Sequence, residues 1–320
     1  MEQRSQIKAQ IDSCLTHMET RIVGQKNLIK KLFLALIAGG HVLVEGVPGI
    51  AKTLMIASLA QMIELPFKRI QFTPDLLPSD LIGMSVFRPD QGKFIIEKGP
   101  VFTNIILADE INRAPPKVQS ALLEVMAEKQ VTIFGQTFHI APPFFVMATQ
   151  NPIEQEGTYI LPEAQLDRFM FKLLVTYPSQ EEEQKIAQKS MVHMMPTPLE
   201  AQLTLSELQT MQQHVDTIHV EDNVMQYAVS LVLATRDPKQ VPELEHVIQW
   251  GASPRATLWL IRGGRAHAMI EGRTFVTPHD IKALAKDILR HRIILSYEAQ
   301  ASGHTPDSVI ENLLEMIPSP

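Results

Sequence analysis

Hydrophobic positions follow two rhythms along the chain, and the change from one to the other divides it. Short, near-continuous apolar runs recur in "HVLVE" (41–45), "PFKRIQF" (66–72), "NIILAD" (104–109), "FFVMAT" (144–149) and "FKLLVT" (171–176). Such runs predict strands covered on both faces, and so a mostly parallel sheet in an α/β unit. Stretches with helical spacing separate them, clearest at "KTLMIASLAQMI" (52–63) and "PPKVQSALLEVMAEK" (115–129). The second opens on prolines, whose missing N–H is harmless in a first helical turn. Two segments, 84–102 and 130–143, interrupt the alternation and read as β-hairpins turning at Asp90-Gln91-Gly92 and Gly135-Gln136. Their polar tips keep them out of a core, so they are expected as insertions.

After the last run the rhythm becomes helical. Ser179 and Glu182 have capping-box spacing for a new helix, and the Met- and Pro-rich stretch 191–202 reads as a linker. Ser206 with Gln209, and Thr277-Pro278 with Asp280, mark further helix starts. Segments 221–236 and 278–293 are amphipathic, and the tail from His304 is expected to end the chain in a last helix. The expected organisation is an αβα unit over 1–190, a linker over 191–205 and a small all-helical unit over 206–320.

Composition narrows the class. With 45% hydrophobic and 20% charged residues and a net charge of −6, the chain reads as globular, without a disorder signature. It lacks the long basic run of a sequence-independent nucleic-acid binder. Cys14 is the only cysteine, so no intrachain disulfide forms and a reducing compartment fits. The polar start is unlike a signal peptide, and the apolar stretch 32–44 is shorter than the roughly 20 residues of a membrane span. A cytoplasmic protein is expected. The 11 histidines show no metal-ligand spacing, and the 15 methionines read as packing.

The chemistry begins at "EGVPGIAKT" (45–53). A phosphate loop needs a strand delivering the chain, a turn aiming N–H groups at an anion, and a helix N-terminus facing it. "HVLVE", the turn Gly46-Val47-Pro48-Gly49-Ile50-Ala51, and the helix opening Lys52-Thr53-Leu54 follow in that order. Lys52 would reach the β- and γ-phosphates of a nucleotide, and Thr53 would place its hydroxyl on Mg²⁺. Ala51 stands where the usual pattern has glycine, but a residue entering a helix has negative φ, which alanine tolerates. Alone, such a loop is hard to tell from a chance glycine turn. "IILADE" (105–110) removes that ambiguity, because a buried strand ends there on Asp109 and Glu110. Ligands of parallel sheets bind at that strand edge, where Asp109 would hold Mg²⁺ and Glu110 would polarise a water. Asn151, after "VMATQ", could orient the water or touch the γ-phosphate. Arg168 would ordinarily be a surface residue or a partner of Asp167. Arg255, in the first turn of a helix capped by Ser253, opposes the helix dipole, which suggests a compensating anion.

With these residues placed, the chain resembles AAA+ ATPases and, more narrowly, the MoxR family over essentially its whole length. The resemblance rests on "IVGQ" (22–25), "LVEGVPGIAKT" (43–53), "RIQFTPDLLPSDLIG" (69–83), "ILADEINRAPPKVQSALLEVM" (106–126), "MATQNPIEQEGTYILPEAQLDRF" (147–169) and "GASPRATLWL" (251–260). Alanine before the lysine is usual in that family. The resemblance implies a five-stranded αβα nucleotide domain with two hairpin insertions, a helical lid, and hexameric rings binding ATP between subunits. Val23 and Gly24 then match the adenine contacts, Asn151 the first sensor, Arg168 the arginine finger, and Arg255 the second sensor, acting in cis or in trans. Either Gln71 or Thr73 would restrain Glu110. Chaperone-like remodelling of partner proteins, often with von Willebrand factor A domains, is the implied activity. An ATP-gated scaffold with little turnover, or a magnesium-chelatase-like or nucleic-acid-associated motor, are the alternatives.

Overall fold

The computed structural model describes residues 2–46, 52–152, 157–192, 201–237, 241 and 244–320. Up to residue 175 the described chain forms nine strands: β1 (Val42–Gly46), β2 (Phe67–Gln71), β3 (Gly83–Arg88), β4 (Lys93–Lys98), β5 (Ile105–Asp109), β6 (Gln130–Ile133), β7 (Gln136–His139), β8 (Phe145–Gln150) and β9 (Phe171–Val175). Five of them, the five expected from apolar runs, make one parallel sheet in the order β2-β5-β8-β1-β9.

Alternate residues of each central strand face different cores, as two-sided burial requires. Ile105 and Leu107 of β5 join a core with Val42, Val44, Phe145 and Met147, while Ile106 and Ala108 join another with Leu43, Val146 and Ala148. The first core is covered by α1 (Glu2–Arg21), α2 (Lys26–Ala38) and α3 (Lys52–Met62). The second is covered by α4 (Pro78–Ile82) and α5 (Pro116–Glu128). The long apolar stretch 32–44 is thus split between a helix and a strand. Gly39 makes the break by closing α2 in the left-handed region at φ +70°.

Both hairpins are present, β3 with β4 and β6 with β7. The second turns at Phe134-Gly135, one residue earlier than expected, with φ of 49° and 77°. With both φ positive this is the type I′ form of the two-residue loop, which needs left-handed backbone at both central positions, so the chain accepts it even at a phenylalanine. The hairpins lie against each other: Phe94 stacks on Phe134 at 6.1 Å, and Lys98 Nζ sits 4.8 Å from the Phe102 ring and 4.9 Å from that of Phe138.

After α6 (Glu163–Leu166) and β9, α7 (Gln180–Val192) opens on the expected Ser179–Glu182 box, with Glu182 Oε2 accepting from Ser179 N at 2.8 Å. Of the expected linker, residues 193–200 lie outside the described residues. The next helix starts two residues earlier than Ser206. Thr204 caps α8 (Leu205–Thr217), and the Glu207 carboxylate accepts from Thr204 N at 2.8 Å, a stronger box than Ser206 with Gln209 offers. Helices α9 (Asp222–Ala234), α10 (Pro254–Ile270), α11 (Pro278–Leu289), α12 (Tyr297–Ala301) and α13 (Pro306–Met316) complete the C-terminal part. It is not wholly helical. A short antiparallel ribbon pairs β10 (Ile248–Trp250) with β11 (Ile294–Leu295), and the amphipathic segment 278–293 is helical only as far as Leu289. The core on the α1–α3 side continues without interruption into this part through Leu208, Leu231, Leu260, Leu284 and Leu313.

Candidate functional site

In a parallel sheet all strands end at the same edge, and strand register decides which residues meet there. Glu45 lies beside Gln150 and Gln71 beside Asp109, so Gly46, Asp109 and the start of α3 share one edge. Val47, Pro48, Gly49, Ile50 and Ala51 lie outside the described residues. Lys52, Thr53 and Leu54 form the first turn of α3, which carries no acidic residue to offset its dipole. Lys52 Nζ donates to the Gly46 carbonyl at 2.6 Å. Burial lowers its pKa, against the opposing pull of Asp109, Glu110 and Glu45.

The two acids are held differently. Asp109 Oδ1 accepts from Thr149 Oγ1 at 2.7 Å, and its Oδ2 accepts from Arg69 Nη2 at 2.6 Å and Nε at 3.2 Å. Glu110 sits just past the strand in the left-handed region, φ 56° and ψ 50°, a conformation that costs a non-glycine residue about 1 kcal/mol or more. Its N–H donates to Thr149 Oγ1 at 2.8 Å, which fixes the turn. Its carboxylate accepts from Gln71 Nε2 at 2.9 Å and Arg113 Nη1 at 3.0 Å through the same oxygen. Of the two candidates for restraining Glu110, Gln71 makes the contact, while Thr73 hydrogen-bonds Asp75. Asn151, one residue past β8, is buried at this edge.

Arg69, Thr149 and Arg113 were missed in the sequence reading. Arg69 and Gln71 stand two apart on β2 and so project from the same face. Thr149 follows Ala148, which is registered with Ala108, so it meets Asp109.

Arg168 and Arg255 belong to a second group. Arg168 precedes β9, at the edge where strands begin, so the length of a strand, about 17 Å, separates its backbone from the edge of Asp109. Its Nη1 donates to the Leu123 carbonyl of α5 at 2.7 Å. Arg255 Nη1 donates to Asp167 Oδ2 at 2.9 Å, beneath the expected Ser253 cap. The anion that offsets the misplaced cation in that first turn is therefore Asp167 of this same chain. Burial pushes the Asp167 carboxyl up, but Arg292, Ser253 and Arg255 together hold it below its ordinary value. Burial brings Arg292 down to about 10, with Asp167 opposing.

Val23 and Gly24 form the bend between α1 and α2. Gly24 has φ +79°, and a Cβ there would fall 2.6 Å from Glu182 Cδ, so this bend presses on the first turn of α7. Among the described residues no group of three or more His, Cys, Asp or Glu side chains could hold a metal ion on its own. No described helix is long and apolar enough to cross a membrane.

A family model described as "ATPase family associated with various cellular activities (AAA)" matches residues 41–171, and one for an AAA lid domain matches 243–313. The chain is 46% identical to Chaperone MoxR1 of Mycobacterium tuberculosis, over 97% of this chain and 82% of that protein. It is 31% identical to Protein MoxR of Methylorubrum extorquens, over 93% and 92% of the two chains. A crystal structure of a Cytophaga hutchinsonii protein proposed to be an ATPase superposes with a TM-score of 0.93 at 44% identity, covering 99% of this chain and 97% of the other.

Proposed function

Because the chain belongs to the MoxR family of AAA+ ATPases, we propose that it hydrolyses ATP in a Mg²⁺-dependent reaction and couples turnover to chaperone-like remodelling of partner proteins. The observation that carries this reading is the meeting of Lys52, Asp109 and Glu110 at one sheet edge, with Glu110 tethered by Gln71. A half-buried lysine among three carboxylates, before a helix N-terminus without acids, fits a polyphosphate with its cation.

In this reading Lys52 binds the phosphates, while Thr53 and Asp109 hold the cation, which would neutralise charge developing on the phosphoryl oxygens. Glu110 takes the proton of the attacking water, and buried Asn151 orients that water. Proton transfer to Glu110 Oε2 would first require that oxygen to leave Gln71 and Arg113, which supports a slow basal rate. The segment from Gly46 to Leu54 would bind the phosphates, and Val23 and Gly24 would contact the adenine.

Arg168 stands a strand length from its own chain's carboxylates, so its guanidinium serves the site of a neighbouring subunit, and Arg255, tied to the adjacent Asp167, serves there with it. The active form is a ring, a hexamer by family resemblance, with residues 1–190 as the nucleotide unit, 191–205 as connection and 206–320 as lid. A protein with a von Willebrand factor A domain is the partner class we favour, in the cytoplasm. Lys52→Ala should weaken ATP binding, whereas Glu110→Gln should retain binding and lower turnover by about 10²- to 10⁴-fold. Wild-type turnover by Glu110→Gln would refute the assignment.

A further inference from the structure

Asp167 lies next to Arg168 in sequence and next to Arg255 in space, and it is shared by three groups from the C-terminal part of the chain. Its carboxylate accepts from Ser253 Oγ at 2.9 and 3.0 Å, from Arg255 Nη1 at 2.9 Å and from Arg292 Nε at 2.7 Å. Arg292 is the unusual member. Its side chain is 1% exposed, yet it carries a charge. The rest of its fork is spent on backbone around Arg168. Nη2 donates to the carbonyls of Asp167 at 2.8 Å and Phe169 at 2.6 Å, on either side of Arg168. Nη1 reaches the carbonyls of Met170, at 3.3 Å, and Ile288, and lies 2.8 Å from His291 Nε2.

Stability alone does not account for this. Burying an ion pair is a weak way to stabilise a fold, because desolvation offsets the attraction. The link from Asp167 to half-exposed Arg255 is worth little energetically. What the arrangement does achieve is geometric: one guanidinium fixes the backbone that carries Arg168, and one carboxylate fixes Arg255 against it. Two guanidiniums, those of Arg255 and Arg292, then face a single carboxylate.

We propose that Asp167 and Arg292 are positioning residues that lock Arg168 and Arg255 into one preset two-arginine unit, offered to the phosphates bound by a neighbouring copy of the chain. This rests on the shared-site reading above. Displacing such a unit by about 1 Å should cost the transition state more than it costs binding.

Subunit mixing tests it. Lys52→Ala subunits have a dead site but intact arginines, and Arg168→Ala subunits have an intact site but no finger. Mixed one to one, they should recover turnover that neither shows alone. Asp167→Asn, nearly isosteric, should lower kcat by about 10- to 100-fold with KM changed less than about twofold. It should be rescued by Lys52→Ala subunits as Arg168→Ala is. Arg292→Lys, which keeps the charge and loses the fork, should show a smaller loss with the same rescue, and serves if Asp167→Asn does not fold. Wild-type kcat in both variants overturns the proposal. So does a loss that Lys52→Ala subunits cannot restore while they restore Arg168→Ala, since the residues would then serve only the fold. If Arg168→Ala itself is not restored, the shared site is wrong and the inference falls with it.

Discussion

The two edges of the central sheet handle charge in opposite ways. Where the strands end, Glu110 is held by contacts that water can replace: an amide from Gln71 and a half-exposed guanidinium from Arg113, both on one carboxylate oxygen. Where the strands begin, Arg292 is buried and its donors are bound to main-chain carbonyls and Asp167. A group that must move to accept a proton is loosely tethered, whereas groups that must meet a ligand from outside are fixed in advance. The difference suggests where flexibility and rigidity are each needed in a site divided between subunits.

The strongest way to break that comparison is to remove Arg168. Arginine fingers contribute about 10³- to 10⁵-fold to turnover, so Arg168→Ala should bind ATP and be nearly inactive. Wild-type specific activity should also rise with protein concentration over a dilution series. Activity independent of concentration, with Arg168 dispensable, would make each site self-contained and remove the contrast between the edges.

Acid titration reads the rigid edge. His41 immediately precedes β1 there, its carbonyl accepting from Met170 N at 2.8 Å and its Nδ1 from Val146 N at 3.1 Å. Burial lowers its pKa to about 4 from an ordinary 6.5. A folded value below the unfolded one means that the unfolded chain binds the extra proton first. Stability is therefore complete above about pH 6.5 and falls until the folded group titrates near pH 4, by roughly 3 kcal/mol in all. Urea denaturation across that window should show the loss, and His41→Gln should flatten it. An unchanged slope in the variant would assign the acid sensitivity elsewhere, with His291, whose pKa burial also holds well below its ordinary value, as the group to test.

The loosely tethered edge predicts a smaller effect of opposite sign. Gln71→Ala removes one tether from Glu110, and a hydrogen bond to a charged group of this exposure is worth about 1 kcal/mol. Basal turnover should rise by roughly fivefold, with ATP affinity unchanged. A fall would make Gln71 part of the chemistry rather than a restraint.

How much of this could be read from the sequence follows the distance over which each signal acts. The sheet edge that carries Lys52, Asp109 and Glu110 was legible because strand, turn and helix are consecutive and the acids end an unbroken apolar run. Arg69 and Thr149 were not, because they reach the acids through a sheet register that joins residues about 40 apart. Arg292 was further still, 125 residues from the Asp167 it binds, with nothing around it to mark a buried cation. Thr204 was missed for a local reason: two overlapping boxes competed, and the carboxylate one won.

The second hairpin carries the smallest effect and a way to dissect it. Phe134 sits at φ 49° with 77% of its surface exposed, where local backbone preference favours Asn or Gly. A left-handed phenylalanine costs about 1 kcal/mol, and its stack on Phe94 returns a similar amount, about 0.5–1.5 kcal/mol. Phe134→Asn alone should therefore leave stability within about 0.5 kcal/mol of wild type. Once Phe94→Ala has already removed the stack, the same change should stabilise, because only the backbone term remains. The double-mutant cycle by thermal unfolding should give a coupling of about 0.5–1 kcal/mol between the two rings. Coupling near zero would mean that the two hairpins are not joined at their tips but further down, where Lys98 lies between the Phe102 and Phe138 rings and those rings meet edge to face.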